Sequence, residues 1–221
     1  MGENKKTIGV LTIGQSPRVD VTPSVQGILG DDVLIQEAGG LDRFTDDEVE
    51  QVAPIPGDTT YVSRMRNGKQ VKISKSKLMP LLQEELAQLE REVSVVIMLC
   101  TGDFPDLKST KPILYPDKIL NSTVQAVMSQ GKLGIIIPLA EQKDSLIKKW
   151  KHFEVIAEAA TPYEESDVIG AAKRLKERGA AMIVLDCIGY NEQHKEEAIK
   201  GSGLPVILPR TLVARIAAEY L

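Results

Sequence analysis

Hydrophobic positions along this chain come in short continuous runs, with amphipathic stretches between them. Residues 7–13 (TIGVLTI) form a nearly unbroken run, as expected of a strand covered on both faces. A loop from Gly14 to Arg18 follows. Residues 19–29 then read as a helix with Pro23 near its start, where a missing N–H does little harm. Residues 33–37 read as a second strand. Thr45-Asp46-Asp47-Glu48 has the form of a helix start: a threonine cap, then acids in the turn where the helix dipole favours them. Two β-prone stretches, 59–66 and 69–74, flank Asn67-Gly68, the strongest short hairpin signal. A long helix over 75–91 leads to a strand at 93–99, a short strand at 113–115 and a helix at 116–129.

The second half is more regular. Strands at 132–137, 153–158, 181–185 and 204–208 alternate with helices at 141–151, 164–179, 192–200 and 209–220. Arg178-Gly179 closes one of these helices with a cation and then a glycine. Strands alternating with helices predict parallel sheets built from βαβ units, an α/β fold. The order also repeats. Each half opens strand, helix, strand, helix, and then a third strand ends in a cysteine before a further helix, strand and helix. This predicts two similar halves, residues 1–130 and 131–221, with the C-terminal helix free to cross over. The hairpin near 59–73 interrupts the first half. An isolated hairpin is marginal in water, so it is expected to leave the core as an arm that covers a cleft or pairs with a second subunit.

Composition narrows the partners. Of 221 residues, 43% are hydrophobic and 26% charged, an ordinary balance for a globular chain. The net charge of −4 comes with no basic stripe, so nucleic acid is not an expected partner. Aromatic residues make up only 4%, too few for base-stacking platforms. No apolar run approaches the ~18 residues a membrane span needs. The opening MGENKK carries lysines before a short apolar run but no small-residue cleavage pattern, so it reads as the approach to a first strand rather than a signal peptide. It also lacks the Ser or Thr of a myristoylation signal. Two cysteines without a secretory signal point to reduced thiols and a cytoplasmic protein.

Those two cysteines carry the candidate chemistry. Cys100 ends the run in VIMLCTGDFP (96–105), and Cys187 sits in the same way in MIVLDCIGYN (182–191). In open α/β sheets ligands bind beyond the carboxyl ends of strands, where both thiols fall. Each precedes a turn into a helix, whose N–H groups favour a thiolate. Two thiols on opposite sides of one carbon suit two-base proton transfer, one removing a proton next to a carboxylate and the other returning one to the opposite face. The alternative is that both are buried structural cysteines finishing two strands.

GVLTIGQSPR (9–18), VIMLCTG (96–102), GIIIPL (134–139) and MIVLDCIGY (182–190) resemble the AroM family, over essentially the whole chain. That family is similar to the broader aspartate/glutamate racemase-like group of cofactor-independent racemases, hydantoin racemases, maleate isomerases and arylmalonate decarboxylases. The resemblance implies two flavodoxin-like, doubly wound parallel-sheet halves related by pseudo-twofold symmetry, with the site between them. It implies Cys100 and Cys187 as the catalytic pair, no cofactor and no metal, and a small carboxylate as ligand. Substrate binding is implied for Gly14, Gln15 and Ser16 in the first loop and for Thr101 and Gly102; Arg18, Gly189 and Tyr190 are added as candidates from their own place beyond the strand ends. The activity implied is a racemase or isomerase, or a decarboxylase needing one thiol. The alternative is a non-catalytic small-carboxylate-binding or regulatory protein. Ile188 follows the second cysteine where such racemases have a threonine, and Asp186 precedes it where they have a small residue. A carboxylate pointing at the thiol would raise its pKa.

Other groups leave two readings each. Arg18 either forks onto a substrate carboxylate or makes a structural bond, and Ser16 either binds an oxygen or caps the turn. His194 either acts as acid or base or is solvated. Asn191 either donates to a substrate or caps a helix, and Asp103 either orients a thiol or caps. The two cysteines with His152 and His194 have no recognised zinc spacing. No dinucleotide or P-loop glycine motif is present, and Ser16 is not in a nucleophile elbow.

Overall fold

The structure, a computed structural model, describes residues 6–104 and 106–221. The lysine-bearing start (1–5) and Pro105, the last residue of the first cysteine segment, lie outside the described residues. The chain divides into two compact units: the described part of Met1–Pro116 with Val213–Leu221, and Asp117–Leu212.

In the first unit the strands β1 (Lys6–Thr12), β2 (Val33–Gly39), β5 (Val96–Leu99) and β6 (Ile113–Leu114) form one parallel sheet in the order β2-β1-β5-β6. Register matters more here than order. Thr12 pairs with Gly39 on one side and with Leu99 on the other. Three strands therefore release their chains at the same level of the same edge, and the loop at Gly14, the turn at Gly40 and Cys100 all open there. Helix α1 (Thr22–Leu29) begins three residues later than the pattern predicts, because Arg18 carbonyl accepts from Val21 and Thr22 N–H and forms a turn first. Helix α2 (Lys75–Leu89) buries Leu78, Leu82, Leu86 and Leu89, spaced so that they line one face, against the sheet.

Thr45-Asp46-Asp47-Glu48 opens only a 3₁₀ turn, Glu48–Val52. Glu48 does reach back to the Thr45 N–H and hydroxyl, both at 2.9 Å. Pro54 then forces Ala53 into an extended conformation, ψ 149°, and no α-helix can follow.

The Asn67-Gly68 hairpin forms as expected, β3 (Thr60–Arg64) antiparallel to β4 (Gln70–Ser74). It does not leave the core. Tyr61, Met65, Val71 and Ile73 are buried in the same cluster as Leu11, Leu78 and Met98. The hairpin is thus part of the first unit's core and roofs the carboxyl edge of its sheet. Burying one face in this way removes the marginality of an isolated hairpin.

The second unit repeats the plan. Between α3 (Pro116–Val127) and α7 (Pro209–Ala218) lie β7 (Lys132–Ile137), α4 (Lys143–Lys149), β8 (Val155–Ala159), α5 (Val168–Glu177), β9 (Ala180–Leu185), α6 (Glu192–Ser202) and β10 (Val206–Ile207). The sheet order β10-β9-β7-β8 is the first unit's order read from the other end: the opening strand is flanked by the second and the third. β5 and β9 are therefore equivalent strands, and each is followed by a cysteine. Helix α5 starts at Val168, not Glu164, because Asp167 is its cap and accepts from Gly170 N–H at 2.7 Å. Residues 161–166 are left as a loop, closed by the Ser166 hydroxyl on the Thr161 carbonyl at 2.7 Å. Among the described residues no helix is long and apolar enough to cross a membrane.

The hairpin's place in the core has a measurable consequence. Ile73 is fully buried, so Ile73→Ala is expected to cost about 2–5 kcal/mol of unfolding free energy in urea titrations. A projecting arm would give about 0.5 kcal/mol or less.

Candidate active site

At the first unit's carboxyl edge the site is built from three loops and the hairpin. Asp42, in the turn after β2, is their common acceptor. Its carboxylate takes Ser16 N–H and Ser16 Oγ, both at 2.6 Å, Gly39 N–H at 2.7 Å and the Arg66 guanidinium at 2.8 Å. Gln15 adds a second tie. Its amide donates to the carbonyls of Leu41 (3.1 Å) and Phe44 (2.7 Å), and its oxygen accepts from Arg66 N–H at 2.9 Å. Gly14 lies directly under the hairpin, where a Cβ would strike the Arg64 carbonyl and Ser63 Oγ.

Arg18 is almost fully buried. Its guanidinium forks onto Asp20, with both bonds at 2.8 Å, and donates to Thr12 Oγ1 at 2.9 Å. Burial alone would raise the Asp20 pKa, but the Arg18 hydrogen bonds and charge, with help from Arg64, outweigh it and lower the carboxyl. The side chains of Gln15, Ser16 and Arg18 are thus engaged in holding the loop's shape.

Cys100 follows β5 and is half-buried. The Gly102 N–H donates to Cys100 Sγ at 3.3 Å. The Tyr61 ring covers Gly102 so closely that a Cβ there would fall 2.6 Å from Cε1. The Tyr61 hydroxyl donates to the Asp103 carbonyl at 2.7 Å, and its ring meets Phe104 with centroids 5.1 Å apart. Thr101 is buried.

The second unit builds the same turn after β9. Cys187 is buried, and the Gly189 N–H reaches its sulfur at 3.5 Å. A tyrosine again covers the glycine: a Cβ on Gly189 would lie 2.8 Å from Tyr163 Cε1. Here the hydroxyl faces the thiol, with Tyr163 Oη 3.7 Å from Cys187 Sγ. Asp186 does not turn toward the sulfur. Its carboxylate is held by Lys149 Nζ at 2.5 Å and Trp150 Nε1 at 2.8 Å. Arg210, buried at the start of α7, donates to the carbonyls of Ile188 (3.0 Å) and Gly189 (2.7 Å).

Tyr190 lies in the core and donates to the Ala160 carbonyl at 2.6 Å. Burial first, then the nearby Cys187, Asp186 and Tyr163, push its hydroxyl pKa well above the ordinary value. Asn191 is the cap of α6, and His194 completes a capping box with Nδ1 accepting from Asn191 N–H at 3.0 Å. Neither cysteine forms a disulfide. Among the described residues no group of three or more His, Cys, Asp and Glu side chains is placed to hold a metal ion.

Sequence reasoning placed Cys100, Thr101 and Gly102 in one turn and Cys187, Gly189 and Tyr190 in another, and the loop 14–18 falls at the first unit's edge with Cys100. It missed Tyr61, Tyr163, Asp42, Arg66 and Arg210. The Cys-X-Gly spacing, common to both segments, was the one available signal that the sulfurs take the same backbone contact.

The two sheets with their flanking helices share their fold with solved racemases and an isomerase. A glutamate racemase from Francisella tularensis in complex with D-glutamate superposes with a TM-score of 0.61 at 15% identity, over 97% of this chain and 80% of that one. Picrophilus torridus aspartate racemase gives 0.57 at 11% identity, over 97% and 94%. A Nocardia farcinica maleate cis-trans isomerase bound to TRIS gives 0.64 at 12% identity, over 97% and 92%. No curated protein matches the chain. Residues 8–221 match the family described as AroM protein, and the chain belongs to it.

Two outcomes follow from the site's supports. Asp42→Ala leaves the donors of Ser16, Gly39 and Arg66 without their shared acceptor, and is expected to cost about 2–3 kcal/mol in urea unfolding, with faster amide exchange at Ser16 and Gly39. His194 is held below its ordinary pKa by burial first, then by Arg210, against an opposing pull from Glu197. Its contribution to stability is complete above the unfolded value near 6.5 and is lost as pH falls through the lower folded value. Stability measured from neutral into mildly acidic pH should therefore decline more steeply in the wild type than in His194→Gln, which keeps an N3 acceptor without titrating.

Proposed function

We propose that the chain is a cofactor-independent racemase or isomerase acting at a carbon next to a carboxylate, with Cys100 and Cys187 as its proton-transfer residues. The observation that carries this reading is the repeated Cys-X-Gly turn. On the equivalent strand of each unit a thiol lies past the carboxyl end, accepts a glycine N–H at 3.3 or 3.5 Å and has a tyrosine ring over that glycine. The recurrence of one contact on equivalent strands supports a shared role for the two thiols. An N–H aimed at sulfur stabilises thiolate over thiol and brings its pKa toward neutral pH.

In the reaction one thiolate removes the proton beside the substrate carboxylate. The other thiol gives its proton to the opposite face, so the substrate loses one proton and gains one. Decarboxylation of a malonate-like acid is the variant in which carbon dioxide leaves instead and a single thiol protonates the carbanion. In this reading the ligand is a small carboxylate, such as the D-glutamate held by the Francisella protein. Thr101, Gly102 and Gly189 contribute backbone N–H groups near the sulfurs, and Gly14 to Arg18 contribute a loop fixed in shape.

The test is proton exchange. The protein is incubated with glutamate, aspartate, maleate and arylmalonate in deuterated water, and exchange, isomerisation or decarboxylation is followed by NMR. Turnover of one of these is expected, and Cys100→Ala and Cys187→Ala should each lower it about 100-fold or more. Stoichiometric binding of such an acid by calorimetry, with no turnover and no effect of either substitution, would overturn catalysis and leave a carboxylate-binding regulator.

A further inference from the structure

The two thiol turns match in backbone but differ in where their tyrosine hydroxyls go. A tyrosine hydroxyl has one proton to donate. Tyr61 gives its proton to the Asp103 carbonyl at 2.7 Å. Tyr163, its counterpart, has its hydroxyl 3.7 Å from Cys187 Sγ, within hydrogen-bond range for sulfur. Its ring is fixed by contact with Gly189, and its loop by Tyr163 N–H on Thr161 Oγ1 at 3.3 Å and the Ser166 hydroxyl on the Thr161 carbonyl. The hydroxyl is thus held at the sulfur by two independent constraints.

We propose that Tyr163 is a positioning residue for Cys187, donating its hydroxyl proton to the sulfur so that Cys187 is the thiol ionised first and Cys100 the one that stays protonated. The assignment of roles rests on the proton-transfer reading above. Cys187 begins as thiolate and ends as thiol, and Cys100 begins as thiol and ends as thiolate.

Several charged or titratable groups lie near Cys187. Asp186 precedes Cys187, and its carboxylate opposes a thiolate, but Lys149 stands 2.5 Å from that carboxylate and opposes its charge. Arg210 sits on the carbonyls of Ile188 and Gly189, and its positive charge favours the thiolate. Tyr190 has its hydroxyl proton on the Ala160 carbonyl, and His194, with its Nδ1 accepting from Asn191 N–H, is kept neutral near pH 7. Gly189 N–H donates to the sulfur, and Tyr163 Oη lies within hydrogen-bond distance of it.

Residue-resolved alkylation tests the idea without needing a substrate. The wild-type chain is treated with iodoacetamide across a pH series, and modification of each cysteine is followed by mass spectrometry. The midpoint for Cys187 is expected below that for Cys100. Tyr163→Phe keeps the ring on Gly189 and should raise the Cys187 midpoint by roughly one pH unit, leaving Cys100 unmoved. Tyr61→Phe should leave the Cys100 midpoint where it is. A Cys100 midpoint below that of Cys187 in the wild type, or a Cys187 midpoint unchanged by Tyr163→Phe, would overturn the proposal. The wild-type ordering decides even if a variant folds poorly. Because the readout is ionisation, it stands whether or not turnover is found.

Discussion

A parallel sheet releases all its chains at one edge, and the first N–H groups beyond each strand have no ladder partner there. They need acceptors, because an unsatisfied buried N–H costs about as much as a lost hydrogen bond. Much of what surrounds the candidate site answers that requirement. Asp42 meets it for Ser16 and Gly39, and Asn191 meets it at the head of α6. At the two cysteine turns the acceptor is sulfur. Sulfur is a weak acceptor as a thiol and a far better one as a thiolate, so under the proton-transfer reading proposed above satisfying the backbone and activating the residue would coincide.

The sheet edge also bears on how much was legible in the sequence. Strands with both faces covered read as apolar runs, and each expected strand forms with its ends within three residues of the reading; the strand-end cysteines and the hairpin turn were recoverable too. The failures were of two kinds. Local competition moved the starts of α1 and α5, where the Arg18 carbonyl and the Asp167 cap set the first turn. Long-range contact hid the rest. Asp42 and Arg66 are ordinary surface charges in sequence, and only the fold brings them to Ser16. Tyr163 was hidden by both, since the predicted helix, 164–179, took up the second half of the loop that carries it.

The charged residues show the same lesson in energetic terms. Arg18 in a loop beyond a strand suggests a substrate fork, yet Asp20, two residues on, takes its Nε and Nη2, and Thr12 takes its Nη1. A fully buried guanidinium left without a carboxylate would be costly, so proximity in sequence supplied the partner. Asp186 beside Cys187 suggests a raised thiol pKa, yet Lys149 and Trp150 draw the carboxylate away. In both cases adjacency in sequence said less than the direction in which the side chain leaves the backbone.

The hairpin's bonds to the first loop also bear on the order of assembly. Gln15 and Arg66 are 51 residues apart in sequence, Ser16 and Arg66 50. β1 can pair with its neighbours and the loop after it can meet Leu41, Asp42 and Phe44 before either contact exists, but the loop gains its last ties only when the hairpin has formed and docked. Closing so long a segment is entropically slow compared with forming the hairpin itself. The loop beyond the first strand, though early in the chain, is thereby among the last parts of its unit to become rigid. A nascent chain released before residue 74 would carry that loop without its roof.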